Sequence, residues 1–287
     1  MYFCIKAKIM EKLKEYAELA HNILNKNGTS AETNYLQSKN IISSFFDKKK
    51  NGDLKTVISR LTLIDSYYST QINSKRLFGI DDLAKKIFEI SNGSDEILRN
   101  KCTKFLETPE TLKDIKDLFE FKKYGIHKNG ESAGQAPSLI SKYLYFLTEY
   151  NFPIYDTLAI SSYEKIRLKF KDELEIPVLM KEFHISYFAC LTQLDFCTGI
   201  KKIDKLDNLL WLLGKFTEGS FSIVLDKETY IKLTQLAIYG KNIKETTVDD
   251  LIRIYLKNND NLQEIFKDND LIKFIQFSLQ FVKIKNN

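Results

Sequence analysis

A single carboxylate, Asp156, stands directly behind Pro153-Ile154-Tyr155, at the end of the stretch SAGQAPSLISKYLYFLTEYNFPIYD, residues 132–156. Apolar neighbours desolvate such an acid, which raises its pKa or leaves it as a poised charge. Asp is also a favoured helix N-cap, so a purely structural role stands beside the chemical one. Upstream, Gly134 and Ala136 make a small-residue turn, and Pro137 occupies a favoured first helical position. A turn of this kind presents backbone N–H groups at the positive end of a helix dipole, a setting suited to phosphate. Ser138 and Ser141 add hydroxyl donors at that end, and Lys128 and Lys142 add positive charge. Lys142 lies one helical turn beyond Ser138 on roughly the same face, where contact with phosphate or solvent is expected.

The elements that must position these residues read as helices. Apolar residues recur at spacings of three and four in residues 5–27, through Ile9, Leu13, Tyr16, Leu19 and Ile23. A second helix is framed by Asn-Gly signals at 27–28 and 51–52. Asp53 is placed to cap the next, with a stripe at Val57, Leu61, Ile64 and Tyr68. GIDDLAKKIFEI is helical, and Thr108-Pro109-Glu110 opens another helix that Gly125 closes. Residues 126–136 form a polar, Gly-rich loop. Helices follow from Pro137 to Glu149 and from about Thr157. KKIDKLDNLLWLLGKF is a strong short helix, and FSIVL is the one β-rich run, a candidate short strand. TTVDDLIRIYLKNN and NDLIKFIQFSLQFVKI are the last two helices. In all, ten to twelve helices with little strand are expected.

The chain of 287 residues is long enough to bury a core unaided, and its 44% hydrophobic and 28% charged residues are those of a globular protein. Only 4 Pro and 11 Gly favour long helices over a many-turned sandwich. The net charge of +5 permits a nucleic-acid partner without demanding one. Cys4, Cys102, Cys190 and Cys197 contain no C-x-x-C pair, and no metal site is expected; free thiols in a reducing cytoplasm fit. The N-terminal stretch has charges throughout and no apolar core of a signal peptide, and no run is long enough to span a bilayer. Of the three histidines, His127 falls in the polar loop and His184 among apolar residues. Lys48-Lys49-Lys50 reads as a solvated helix end. No Ser-His-Asp triad, P-loop or dinucleotide fingerprint is present.

GQAPSL followed by a helix and FPIYD resembles the helix-hairpin-helix DNA glycosylases with a Gly/Pro-rich hairpin and a catalytic Asp. Gly134 matches the first Gly of that hairpin and Ala136 replaces the second. Ser138 falls where the lyase members carry a catalytic Lys, and Asp156 where the family has its catalytic Asp. SRLTLIDSYYSTQI, SKYLYFL…FPIYD and IDKLDNLLWLLGK are also similar to a group of bacterial proteins with ASK…FPIYDS and LDxxLW signatures. The departures are Gln135 in place of an aliphatic residue, the missing second Gly, and the lack of the Cys cluster that holds iron and sulfur in some members.

The resemblance implies a mainly α fold of two helical lobes with a cleft, little or no strand, and one unit over 1–287. One lobe would cover roughly 54–124 and the other 125–215, with the termini packing together. It implies a monomer that acts on double-stranded DNA without a cofactor, flips a nucleotide out of the duplex and hydrolyses the N-glycosidic bond of a damaged or modified base. Asp156 would stabilise the oxocarbenium-like sugar or activate water, and Lys142 is the candidate substitute amine. Gly134, Gln135, Ala136, Ser138, Ser141 and Lys128 would contact the DNA backbone, and Tyr67, Tyr68 and Tyr155 would stack on the base. Two other readings stand beside it: a non-catalytic DNA-binding or interaction protein of a bacterial defence or regulatory system, and a helical enzyme unrelated to DNA.

Overall fold

The computed structural model describes residues 2–25, 34–47, 52–68, 70–108, 113–178, 187–188, 190–192, 194, 203–219, 225–239, 247–259 and 261–282. It is helical, as expected from the scarcity of Gly and Pro. The helices are α1 (Tyr2–Leu24), α2 (Asn34–Ser44), α3 (Leu54–Tyr68), α4 (Ile72–Lys75), α5 (Gly79–Ser91), α6 (Asp95–Glu107), α7 (Lys113–Glu120), α8 (Pro137–Leu147), α9 (Thr157–Lys169), α10 (Ile203–Thr217), α11 (Lys227–Ile238), α12 (Val248–Lys257) and α13 (Asn269–Leu279). A 3₁₀ turn at Leu262–Glu264 precedes α13. Among the described residues there is no strand, only isolated bridges around the polar loop. The FSIVL run, apart from its final Leu225, lies outside the described residues, as do His184, Cys197 and the three consecutive lysines.

α8 is the centre. Every residue from Leu139 to Leu147 is buried, which requires neighbours on all sides. α3 packs on α8 and α5, α10 packs on α9 and α1, and α13 closes against α1 and α10. Caps follow elementary rules: Ser94, Asp226, Thr247 and Asp268 each accept a backbone N–H of their own first turn. α6 is a helix that the apolar spacing reading leaves unassigned, although Ser94, Asp95-Glu96 and the stripe Leu98, Cys102, Phe105 all mark it. Arg60, wholly buried in α3, donates to the Phe45 carbonyl at 2.8 Å and pairs with Asp95 at 2.9 Å, tying the end of α2 to the start of α6.

The polar loop is pinned more firmly than its composition suggests. α7 ends at Glu120, so Gly125 does not close it. Gly125 has φ +80°, and a Cβ there would meet the Leu77 carbonyl oxygen at 2.6 Å; glycine is required because two backbones touch. Leu77 and Ile126 exchange both backbone hydrogen bonds, and Asp82 accepts the Gly125 N–H at 3.0 Å.

Candidate functional site

Asp156 and Lys142 meet. Asp156 is the N-cap of α9: its Oδ1 accepts the Leu158 N–H at 2.9 Å, the structural role foreseen for it. Its Oδ2 faces the other way, 3.7 Å from Lys142 Nζ, and the side chain keeps 24% of its surface open. Lys142 is 3% exposed, so, against expectation, it does not face solvent. Its amine donates to Ser138 Oγ at 2.7 Å and lies over the Tyr68 ring, 5.5 Å from the centroid. Burial pushes the amine pKa down, while Asp156 and Asp207 act against that shift.

Around this pair lies a layer of polar groups from four helices, α1, α2, α8 and α10, that no sequence spacing indicated. Asp207 on α10 is 4% exposed, and its Oδ1 has no hydrogen-bond partner among the described residues. Burial raises its pKa to about 8, Asp204 and Asp156 push the same way, and Lys142 and Lys39 oppose them. Asp204, one turn earlier, accepts from Lys39 Nζ at 3.0 Å and from the Tyr145 hydroxyl. Asn208 accepts the Tyr35 hydroxyl at 3.0 Å and lies 2.9 Å from His21 Nδ1. Lys39 sits 4.2 Å from the Tyr150 ring centroid, a cation–π contact within a buried setting. The signal for Asp207 and Asn208 was present in LDNLLWLL, where both interrupt an otherwise apolar helix face.

The remaining anticipated residues divide. Tyr68 is half-buried beside the pair, and burial together with Asp207 raises its hydroxyl pKa. Tyr155 packs edge-on against Tyr187, with centroids 5.6 Å apart. Tyr67 is 44% exposed. Lys128 is exposed at the tip of the loop, in the turn closed by Gly130 N–H to the His127 carbonyl. In the turn, Arg76 donates to the Gly134 and Gln135 carbonyls at 3.0 and 2.8 Å; Ala136 is buried, while Gly134, Gln135 and Ser138 stay partly exposed. Ser141 is also buried, donating to the Ser138 carbonyl and accepting the Tyr155 N–H; it holds the Asp156 segment against α8 instead of facing a ligand. Two surface depressions of about 230 and 520 Å³ lie elsewhere, one by Lys86 and Lys101, the other by Asn261 and Lys273, and neither borders Asp156.

Chemically, the site combines a partly open carboxylate, a buried amine with lowered pKa and a buried carboxyl with raised pKa. Such divergent shifts among neighbouring groups are the arrangement acid–base chemistry uses. Comparison of the chain with protein-family models, with curated proteins and with solved structures finds no match. No described helix is long and apolar enough to cross a membrane.

Proposed function

We propose that the protein is a DNA glycosylase-like hydrolase that excises a damaged or modified base from duplex DNA. The observation that carries this reading is the approach of Lys142 Nζ to the uncapped oxygen of Asp156, which remains partly open to solvent. With Oδ1 committed to the helix cap, Oδ2 is the catalytic oxygen: it stabilises the cationic sugar as the glycosidic bond breaks, or takes a proton from the attacking water. Lys142 holds that oxygen in place. Tyr68, over which the amine sits, supplies the face for the flipped base.

The test is base release. Duplexes carrying a panel of damaged and modified bases are incubated with the wild type and with Asp156→Asn, then treated with hot alkali to break abasic sites. Alkali-dependent breaks with the wild type alone are expected. Breaks without alkali, together with borohydride trapping lost in Lys142→Met, would move the attack from water to the Lys142 amine. The second reading, a non-catalytic DNA-binding or interaction protein, is favoured by one observation: Asp156 already serves as a cap, and neither depression adjoins it. Salt-sensitive DNA binding without base release from any duplex would select it.

A further inference from the structure

Phe78 stands against every local preference. It is the N-cap of α5, a position that favours Ser, Thr, Asn, Asp or Gly, and it makes no side-chain cap bond. Its φ of +63° lies in the left-handed region, which disfavours a bulky residue, yet 64% of it is exposed. Its ring meets no other ring among the described residues, and Leu77 beside it is also exposed. Backbone strain held on an exposed aromatic points to a contact made outside the fold. The backbone here is packed on the polar loop. Leu77 and Ile126 exchange both hydrogen bonds, and Arg76 donates to the carbonyls of Tyr124, Gly134 and Gln135. These bonds bring Lys75 of one segment together with Lys122, Lys123 and Lys128 of the other. All four lysines are exposed, and none forms an ion pair among the described residues. Of the acids at this junction, Asp82 accepts the Gly125 N–H and Glu131 accepts the Asn129 amide, which leaves the exposed Asp81 against four lysines.

We propose that Phe78, with Leu77, is an apolar wedge that enters the base stack of duplex DNA, and that Lys75, Lys122, Lys123 and Lys128 hold the phosphates beside it. Unpaired lysines on a pinned backbone complement a phosphodiester chain, whose counterions they displace. An exposed Phe among such cations suits insertion between base steps, which unstacks and bends the duplex. The inference rests on the excision reading for its partner, DNA, and adds to it a means of opening the stack. A base that leaves the duplex gives up its stacking, and a ring that takes its place offsets part of that cost. The loop also leads directly to the candidate site. Four residues beyond Gly134 is Ser138, whose Oγ accepts from the Lys142 amine, itself 3.7 Å from Asp156.

The experiment follows binding of the full chain to an undamaged, fluorescein-labelled duplex by anisotropy over a range of salt. A 2-aminopurine base in the same duplex brightens when it is unstacked. The wild type should bind in a salt-sensitive manner and brighten the probe. Lys75→Gln, Lys122→Gln, Lys123→Gln and Lys128→Gln combined should flatten the plot of log affinity against log salt by about 0.9 per lysine. Phe78→Gly should keep the wild-type slope, bind about 10-fold more weakly and leave the probe dark. Glycine relieves the left-handed strain, so thermal melts should show this variant no less stable than the wild type, and its loss of binding is then not a loss of fold. Unchanged affinity and slope in the lysine variant, or full brightening by Phe78→Gly, overturns the proposal even if Asp156-dependent base release is found. If base release is absent from every duplex but both variants behave as expected, the excision reading falls and the DNA surface stands. A wild type that binds no duplex also overturns the proposal and leaves this surface to a protein partner.

Discussion

Burial acts in opposite directions on the two groups nearest the proposed chemistry. It disfavours the charged amine of Lys142, lowering its pKa, and the charged carboxyl of Asp207, raising its pKa from 3.8 to about 8. The consequence for stability can be worked out for Asp207. Between about pH 4 and pH 8 the unfolded chain has released this proton while the native chain keeps it. Native protein therefore binds more protons, and stability falls as pH rises through that window. Asp207→Asn removes the slope. The variant should therefore gain stability relative to the wild type as pH rises from about 4 to about 8, and urea midpoints measured across that range check it. Lys142 has a slope of opposite sign, because its native form releases a proton before the unfolded chain does. A stabilising substitution at a buried acid is what a residue retained for function predicts. Sequence reading reached Asp156 and Lys142 because they share one short segment. It missed Asp207, Tyr187, Lys39 and Asn208 because their meeting depends on which helices touch.

At the scale of elements, α8, α9 and α10 set the site: Lys142 on α8, Asp156 at the start of α9, and Asp204, Asp207 and Asn208 in the first two turns of α10. Asp156 serves α9 as cap and the site as carboxylate, and the two roles separate by substitution. Asn caps as well as Asp but takes the carboxylate from beside the buried Lys142 amine, so Asp156→Asn should lower the melting midpoint as well as abolish base release; Asp156→Ala should lose about 1 kcal/mol more with the cap. The close crossing of α10 over α9 depends on Gly214, where a Cβ would meet the Leu158 carbonyl oxygen at 2.8 Å. Gly214→Ala forces the helices apart beside the Asp156 cap. The expected cost is about 1–3 kcal/mol, together with reduced base release at temperatures where the variant stays folded. A different element carries strain of its own. Phe78, before α5, is 64% exposed at φ +63°, a region that disfavours a bulky residue. Phe78→Gly should raise stability by about 1 kcal/mol in thermal melts. Most helices were legible from apolar spacing and capping residues. The pinning of the loop was not, because Arg76 and Asp82 reach it from sequence-distant helices.

At the scale of the molecule, one buried cluster runs from Leu13 on α1 to Phe281 beyond α13 and includes residues of every large helix between. Composition foretold a helical chain with a sufficient core, but not the closure of the first helix on the last, which no local pattern encodes. Tyr16 stacks on Phe277 with centroids 3.8 Å apart and meets Phe274 edge-on, so α1 and α13 share aromatic surface. The polar layer crosses the same assembly: His21 on α1, Tyr35 on α2 and Asn208 on α10 form one hydrogen-bonded group. A continuous core joined in this way should unfold as one unit, although chains of this length often split into separately melting parts. Trp211, the only tryptophan in the chain, packs on Tyr35 at 5.0 Å and reports the α2–α10 contact, whereas far-UV circular dichroism reports all helices. The two signals should give the same urea midpoint. Tyr16→Ala removes the stack at the far side of α1 and should lower both midpoints together, by the equivalent of about 1–2 kcal/mol for a partly buried aromatic. If circular dichroism shifts while Trp211 fluorescence holds its midpoint, α1 and α13 melt apart from the body that carries Lys142 and Asp156. The site would then depend on α2, α3, α8, α9 and α10 alone.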